Sequence, residues 1–171
     1  MQKIIIIGPG GAGKSTLSKR LGKKLHIPVI HLDTLYWKKG WVETPLSEWG
    51  KIQTELVSHP QWILDGNYEE SLDIRLRSCD TVIFLDFPRY LTLYRVIKRY
   101  LTYRRKQRED RCKGCQEKLS YFFLKWVWDY PTKSRPFILK KLSLLQKQKK
   151  VNIHILSSQT DINTFLETLK D

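Results

Sequence analysis

The sequence predicts an α/β fold of three layers, α/β/α, built on a five-stranded parallel sheet. Two observations predict it. Short apolar runs alternate along the chain with segments of helical period. The runs themselves, such as Ile4-Ile5-Ile6-Ile7 and Val82-Ile83-Phe84-Leu85, have no polar alternation. Strands of that kind are covered on both faces, as parallel strands are.

The elements follow in order. Residues 3–8 are an apolar β-branched run and predict the first strand. Leu17, Leu21 and Leu25 give residues 14–25 a helical stripe. PVIHLD at 28–33 predicts the second strand. Leu46, Trp49, Ile52 and Leu56 share one face of a helix over 46–58. WILD at 62–65 and TVIFLD at 81–86 predict the third and fourth strands. A long basic helix spans 88–106, with Leu93, Ile97, Tyr100 and Leu101 on its apolar side. Residues 117–130 and 134–149 predict two further helices, VNIHIL at 151–156 the fifth strand, and 159–170 a closing helix.

The 171 residues fit one domain over 1–171, with a basic lid-like insertion at about 104–135. No apolar run approaches the roughly 18 residues of a membrane span. MQKIIIIG breaks into glycines after four isoleucines, so it does not read as a signal peptide, and a cytoplasmic protein is expected. Three cysteines fit a reducing compartment. The net charge of +14 implies an anionic partner. Between Arg89 and Lys118 lie 11 Lys/Arg against Glu109, Asp110 and Glu117, a net of +8 (11 − 3).

Gly8-Pro9-Gly10-Gly11-Ala12-Gly13-Lys14-Ser15-Thr16 matches the phosphate-binding loop pattern G-x-x-x-x-G-K-[ST]. A strand precedes it and a helix follows, which is the context the motif requires. Backbone amides and the helix N-terminus would cradle phosphates. Lys14 would reach the β- and γ-phosphates and Ser15 would ligate Mg²⁺. The motif therefore implies ATP or GTP with magnesium, without separating kinases from GTPases and ATPases.

Other segments resemble the adenylate kinases. Leu85-Asp86-Phe87-Pro88 leads into a helix with Arg95 and Arg99 one turn apart. The resemblance implies that Arg95 sits near the adenine and that Arg99 reaches phosphate. Ile63-Leu64-Asp65-Gly66 resembles the strand end whose aspartate holds a magnesium-bound water, although Asp86 also ends a strand. HLDTLYWKKGW (31–41), ILDGNY (63–68), DTVIFLDFPR (80–89), GCQEK (114–118) and KWVWDY (125–130) resemble the small family of DNA topology modulation proteins, FlaR-like. Its members look like adenylate kinase relatives.

The chain departs from adenylate kinases where they carry arginines for the acceptor phosphate. It has Asp33-Thr34-Leu35-Tyr36-Trp37 after the second strand and Asn67-Tyr68-Glu69-Glu70 after the third. Arg75 and Arg77 are the candidate substitutes. Asp33 ends a strand, where ligands bind in open α/β sheets, and is placed to orient or deprotonate a hydroxyl. The alternatives are that it caps the next turn or contributes to the magnesium site. Trp37, Trp41, Tyr36 and Tyr68 form either a wall for a flat acceptor or ordinary packing, and Gly66 is placed on the substrate side. Arg104, Arg105, Lys106, Arg108, Arg111 and Arg135 are candidate lid cations that would neutralise transferring charge. Cys112-Lys113-Gly114-Cys115 is half of a tetrahedral zinc set and is read as reduced thiols.

Two functions follow. The first is an ATP- and Mg²⁺-dependent kinase acting on a small-molecule acceptor, through Lys14, Asp33, Arg95, Arg99 and Arg135. The second is a nucleotide-regulated DNA binder, favoured by the charge and by Tyr94, Tyr100 and Tyr103 among the basic residues.

Overall fold

The computed structural model describes residues 1–104, 110, 112, 114–148 and 151–169. Five parallel strands form one sheet in the order β2-β5-β1-β6-β7. They are β1 (Lys3–Ile7), β2 (Val29–His31), β5 (Trp62–Asp65), β6 (Thr81–Leu85) and β7 (Asn152–Leu156). β1 lies at the centre, with Ile5 opposite Leu64 on one side and opposite Val82 on the other. All four isoleucines are fully buried, so each contributes about 1.5–3 kcal/mol of transfer free energy.

The strand period of two divides the core. Ile5, Ile7, Leu64, Val82 and Phe84 pack on one face against Trp49 of α3 (Leu46–Ser58), Leu72 and Leu76 of α4 (Leu72–Ser78), and Ile138 and Leu142 of α7 (Ser134–Gln148). Ile4, Ile6, Ile63, Ile83 and Leu85 pack on the other against Leu17 and Leu21 of α1 (Lys14–Leu25), and Ile162 and Phe165 of α8 (Gln159–Thr168). α8 opens on a capping box: Ser158 Oγ accepts from the Asp161 N–H and the Asp161 carboxylate accepts from the Ser158 N–H.

The five expected runs are the five strands, and three features were not anticipated. α2 (Asp33–Tyr36) turns the chain directly after β2, where Thr34 Oγ1 donates to the His31 carbonyl at 2.7 Å. A two-stranded hairpin follows, β3 (Trp37–Lys38) against β4 (Val42–Glu43). α4 occupies 72–78. The basic helix α5 runs Arg89–Tyr103, and the part expected over 105 and 106 lies outside the described residues. α6 (Tyr121–Asp129) begins later than expected. Among the described residues no helix is long and apolar enough to cross a membrane.

Candidate active site

The glycine-rich loop leaves the C-terminal end of the central strand. Gly11 and Gly13 take positive φ, +83° and +97°. A Cβ at Gly11 would stand 2.3 Å from the Thr92 carbonyl oxygen, so α5 packs directly on the loop. The loop closes through the Ala12 N–H donating to the Pro9 carbonyl at 3.2 Å. α1 then starts with neither a side-chain cap nor an acid in its first turn. Its positive end faces a cavity of about 900 Å³ lined by Gly10, Gly11, Ala12, Gly13, Lys14, Ser15 and Thr16. Lys14 Nζ donates to the Gly8 and Pro9 carbonyls at 3.0 and 3.1 Å, folded back over the loop.

The same cavity receives the ends of β2 and β5. Asp65 is nearly buried, and its Oδ2 lies 2.8 Å from His31 Nδ1. A carboxylate only accepts, so the imidazole donates from Nδ1. Tyr68 Oη donates to Asp33 Oδ1 at 2.6 Å. His31, Asp33, Asp65, Gly66, Asn67 and Tyr68 all line the cavity. Asn67 Oδ1 accepts from the Gly8 N–H at 2.9 Å, which ties the turn after β5 to the loop after β1.

Arg95 and Arg99 reach the cavity from α5. Arg95 lies over the Phe87 ring at 5.0 Å. Arg99 Nε donates to Glu117 Oε1 at 2.7 Å. The hairpin supplies Trp37, Trp41 and Glu43 to the lining. Trp41 Nε1 donates to the Gln116 carbonyl at 3.0 Å, and the sulfurs of Cys112 and Cys115 lie against the Lys38 carbonyl.

Four expectations are corrected. Arg75 is not a ligand-binding residue: it is fully buried beneath the turn after β5. Its guanidinium donates to the Gly66, Asn67 and Tyr68 carbonyls, and burial pushes its pKa down to about 9. Arg135 does not line the cavity. Its guanidinium donates to both oxygens of Asp86, from Nε at 2.9 Å to each, and this contact raises its pKa. Gly8 is absent from the lining, and its N–H and carbonyl are used by Asn67 and Lys14. The cysteines of the C-x-x-C are joined as a disulfide rather than held as free thiols. Arg105, Lys106, Arg108 and Arg111 lie outside the described residues.

No protein-family model matches the chain. It is 29% identical over 147 residues to the adenylate kinase of Rickettsia bellii, across 71% of this chain and 65% of that one. The chain thus spans less than two thirds of that relative's length. It is 33% identical over 130 residues to the uncharacterized protein YqaC of Bacillus subtilis, across 74% of this chain and 71% of that one.

The chain belongs to the YqaC family.

Its fold is that of a P-loop kinase. A shikimate kinase from Acinetobacter baumannii, in complex with shikimate, superposes with a TM-score of 0.59 at 16% identity, over 98% of this chain and 90% of that one. The shikimate kinase of Bacteroides thetaiotaomicron gives 0.55 at 17% identity, over 96% and 94%.

The family member described here also holds site residues that sequence reasoning passed over. His31 and Asn67 lay inside quoted motifs, yet only the strand register brings His31 opposite Asp65. Glu43 was passed over because the two-residue strand that sets it opposite Trp37 carries no period, and Glu117 because its partner Arg99 lies 18 residues away.

Proposed function

We propose that this chain is an ATP-dependent kinase that transfers the γ-phosphoryl group to a hydroxyl of a small acceptor. One observation carries the reading: a phosphate-binding loop with Lys14 and the carboxylate that opens α2, Asp33, line a single cavity. A phosphate acceptor needs no such base, whereas a hydroxyl does.

Each residue then has a task. The loop amides and Lys14 hold the β- and γ-phosphates, and Arg95 and Arg99 add positive charge beside the transferring group. Asp33, oriented by Tyr68, takes the hydroxyl proton. The acceptor oxygen bonds to the γ-phosphorus, the bond from that phosphorus to the bridging oxygen breaks, and ADP departs with the electron pair. Magnesium fits the donors present, since the Ser15 hydroxyl and the Asp65 carboxylate are hard oxygen ligands in one cavity. When bound, the ion would offset phosphate charge, with His31 holding Asp65 in place. Asp86 is turned to Arg135, which favours Asp65 for this task.

The test is ADP release from Mg-ATP with a panel of hydroxylated acceptors. Lys14→Ala is expected to lower turnover about 10²–10³-fold with the melting temperature preserved. Unchanged turnover in that variant refutes the mechanism. The net charge of +14 favours a second reading, a nucleotide-regulated DNA binder affecting topology. Retention on DNA at physiological salt that changes with ATP, without acceptor-stimulated ADP release, would select it.

A further inference from the structure

The acceptor end of the cavity has a chemistry of its own. The segments after β2 and β5 supply His31, Asp33, Trp37, Trp41 and Glu43, then Asp65, Gly66, Asn67 and Tyr68 to the lining, and Lys118 lines the same cavity. The lining residues of those two segments include three carboxylates and three large aromatic rings, and no lysine or arginine. Neither Lys38, which pairs with Glu48 at 3.1 Å, nor Arg75, which is spent on backbone carbonyls, lines the cavity.

The hairpin builds a corner there. Trp37 pairs with Glu43 across the two strands, so both side chains rise on one face. Trp41 has φ +67°, which turns its ring edge-on to Trp37 at 5.4 Å between centroids. Tyr36 Oη donates to Glu43 Oε2 at 3.2 Å. Burial, then the Glu43 charge, raise the Tyr36 pKa and keep that phenol a donor. The Tyr36 and Tyr68 rings meet at 4.6 Å. Glu43 and Asp33 are therefore each held by a tyrosine hydroxyl, and the two tyrosines brace each other.

We infer that the acceptor is an amino alcohol or amino sugar carrying no phosphate: its hydroxyl addresses Asp33 and its ammonium sits against Glu43, Trp37 and Trp41. Two indoles and a carboxylate attract a cation through the ring faces and by charge, and repel a phosphate. This rests on the kinase reading for the reaction, but not for the binding.

Matched acceptors test it: glucosamine against glucose, and ethanolamine against ethylene glycol, with AMP as the phosphorylated control. Two readouts are taken on the full chain, ADP release from Mg-ATP and tryptophan fluorescence without nucleotide. The amines are expected to show KM and apparent Kd about tenfold below their neutral twins. Glu43→Gln is expected to erase that difference in both KM and apparent Kd. Binding of the amines without ADP release would uphold this inference and refute the kinase reading. ADP release with AMP, or equal use of both twins, would overturn this inference and leave the kinase reading standing. No response to the amines in either readout would also overturn it, and so would a Glu43→Gln variant that keeps the amine preference.

Discussion

The Tyr68 hydroxyl donates to the Asp33 carboxylate at 2.6 Å, and the two residues come from turns after different strands. The bond fixes the carboxylate proposed to receive the acceptor proton. Asp33→Asn is expected to lower kcat about 10²–10⁴-fold, as loss of a general base does. Tyr68→Phe keeps the carboxylate and loses only its orientation, so a drop of roughly tenfold is expected. Steady-state kinetics with Mg-ATP separates the two variants, and equal losses would refute the division of labour.

Arg75 sets the turn that carries Tyr68. Tyr68 holds φ +43°, a strained position for a tyrosine, and its carbonyl accepts from the buried guanidinium. Arg75→Leu leaves three carbonyls without their donor and is expected to cost about 3 kcal/mol. Arg75→Lys is expected to recover little of it, because an ammonium lacks the planar fork. Urea unfolding measures both.

The loop glycines differ in what they tolerate. At Gly11 a methyl group would meet the Thr92 carbonyl, so Gly11→Ala forces α5 off the loop and is expected to abolish nucleotide binding. At Gly13 nothing stands within 4 Å of the added carbon. Gly13→Ala meets only the left-handed backbone and is expected to cost about 1–2 kcal/mol. Thermal melts with and without ATP distinguish the two.

Asp80 links stability to pH. Burial works to raise its pKa, but hydrogen bonds from Thr81 Oγ1 and the Gln2 and Lys3 N–H groups outweigh it, and the value falls below the ordinary one. A carboxylate depressed by folding stabilises above its unfolded pKa, and loses that contribution as pH falls through its folded value. Asp80→Asn is expected to cost about 1–2 kcal/mol at neutral pH. The gap to the parent protein should close below roughly pH 4. A constant gap in acid would refute the linkage.

Much of the fold was legible because β1 and β6 are unbroken apolar runs, which a sheet covered on both faces accommodates. Lys14 and Ser15 were legible because loop, strand and helix are contiguous. The hairpin was not: strands of two residues carry no period, and Trp37 and Trp41 read equally well as core. Arg75 misled for a physical reason. A buried arginine is recognised by the carbonyls that converge on it, and those of Gly66, Asn67 and Tyr68 converge only after the turn is folded. Arg135 was misplaced likewise, since its partner Asp86 lies 49 residues away.

The central position of β1 also bears on biosynthesis. Its partners, Trp62–Asp65 and Thr81–Leu85, are translated long after it. At about 5–20 residues per second, the four isoleucines leave the ribosome several seconds before β6 can cover them. Until then they are an unpaired β-branched segment of the kind that adheres to other strands. Conditions that slow translation between residues 8 and 81 lengthen that exposure and favour capture by holdase chaperones.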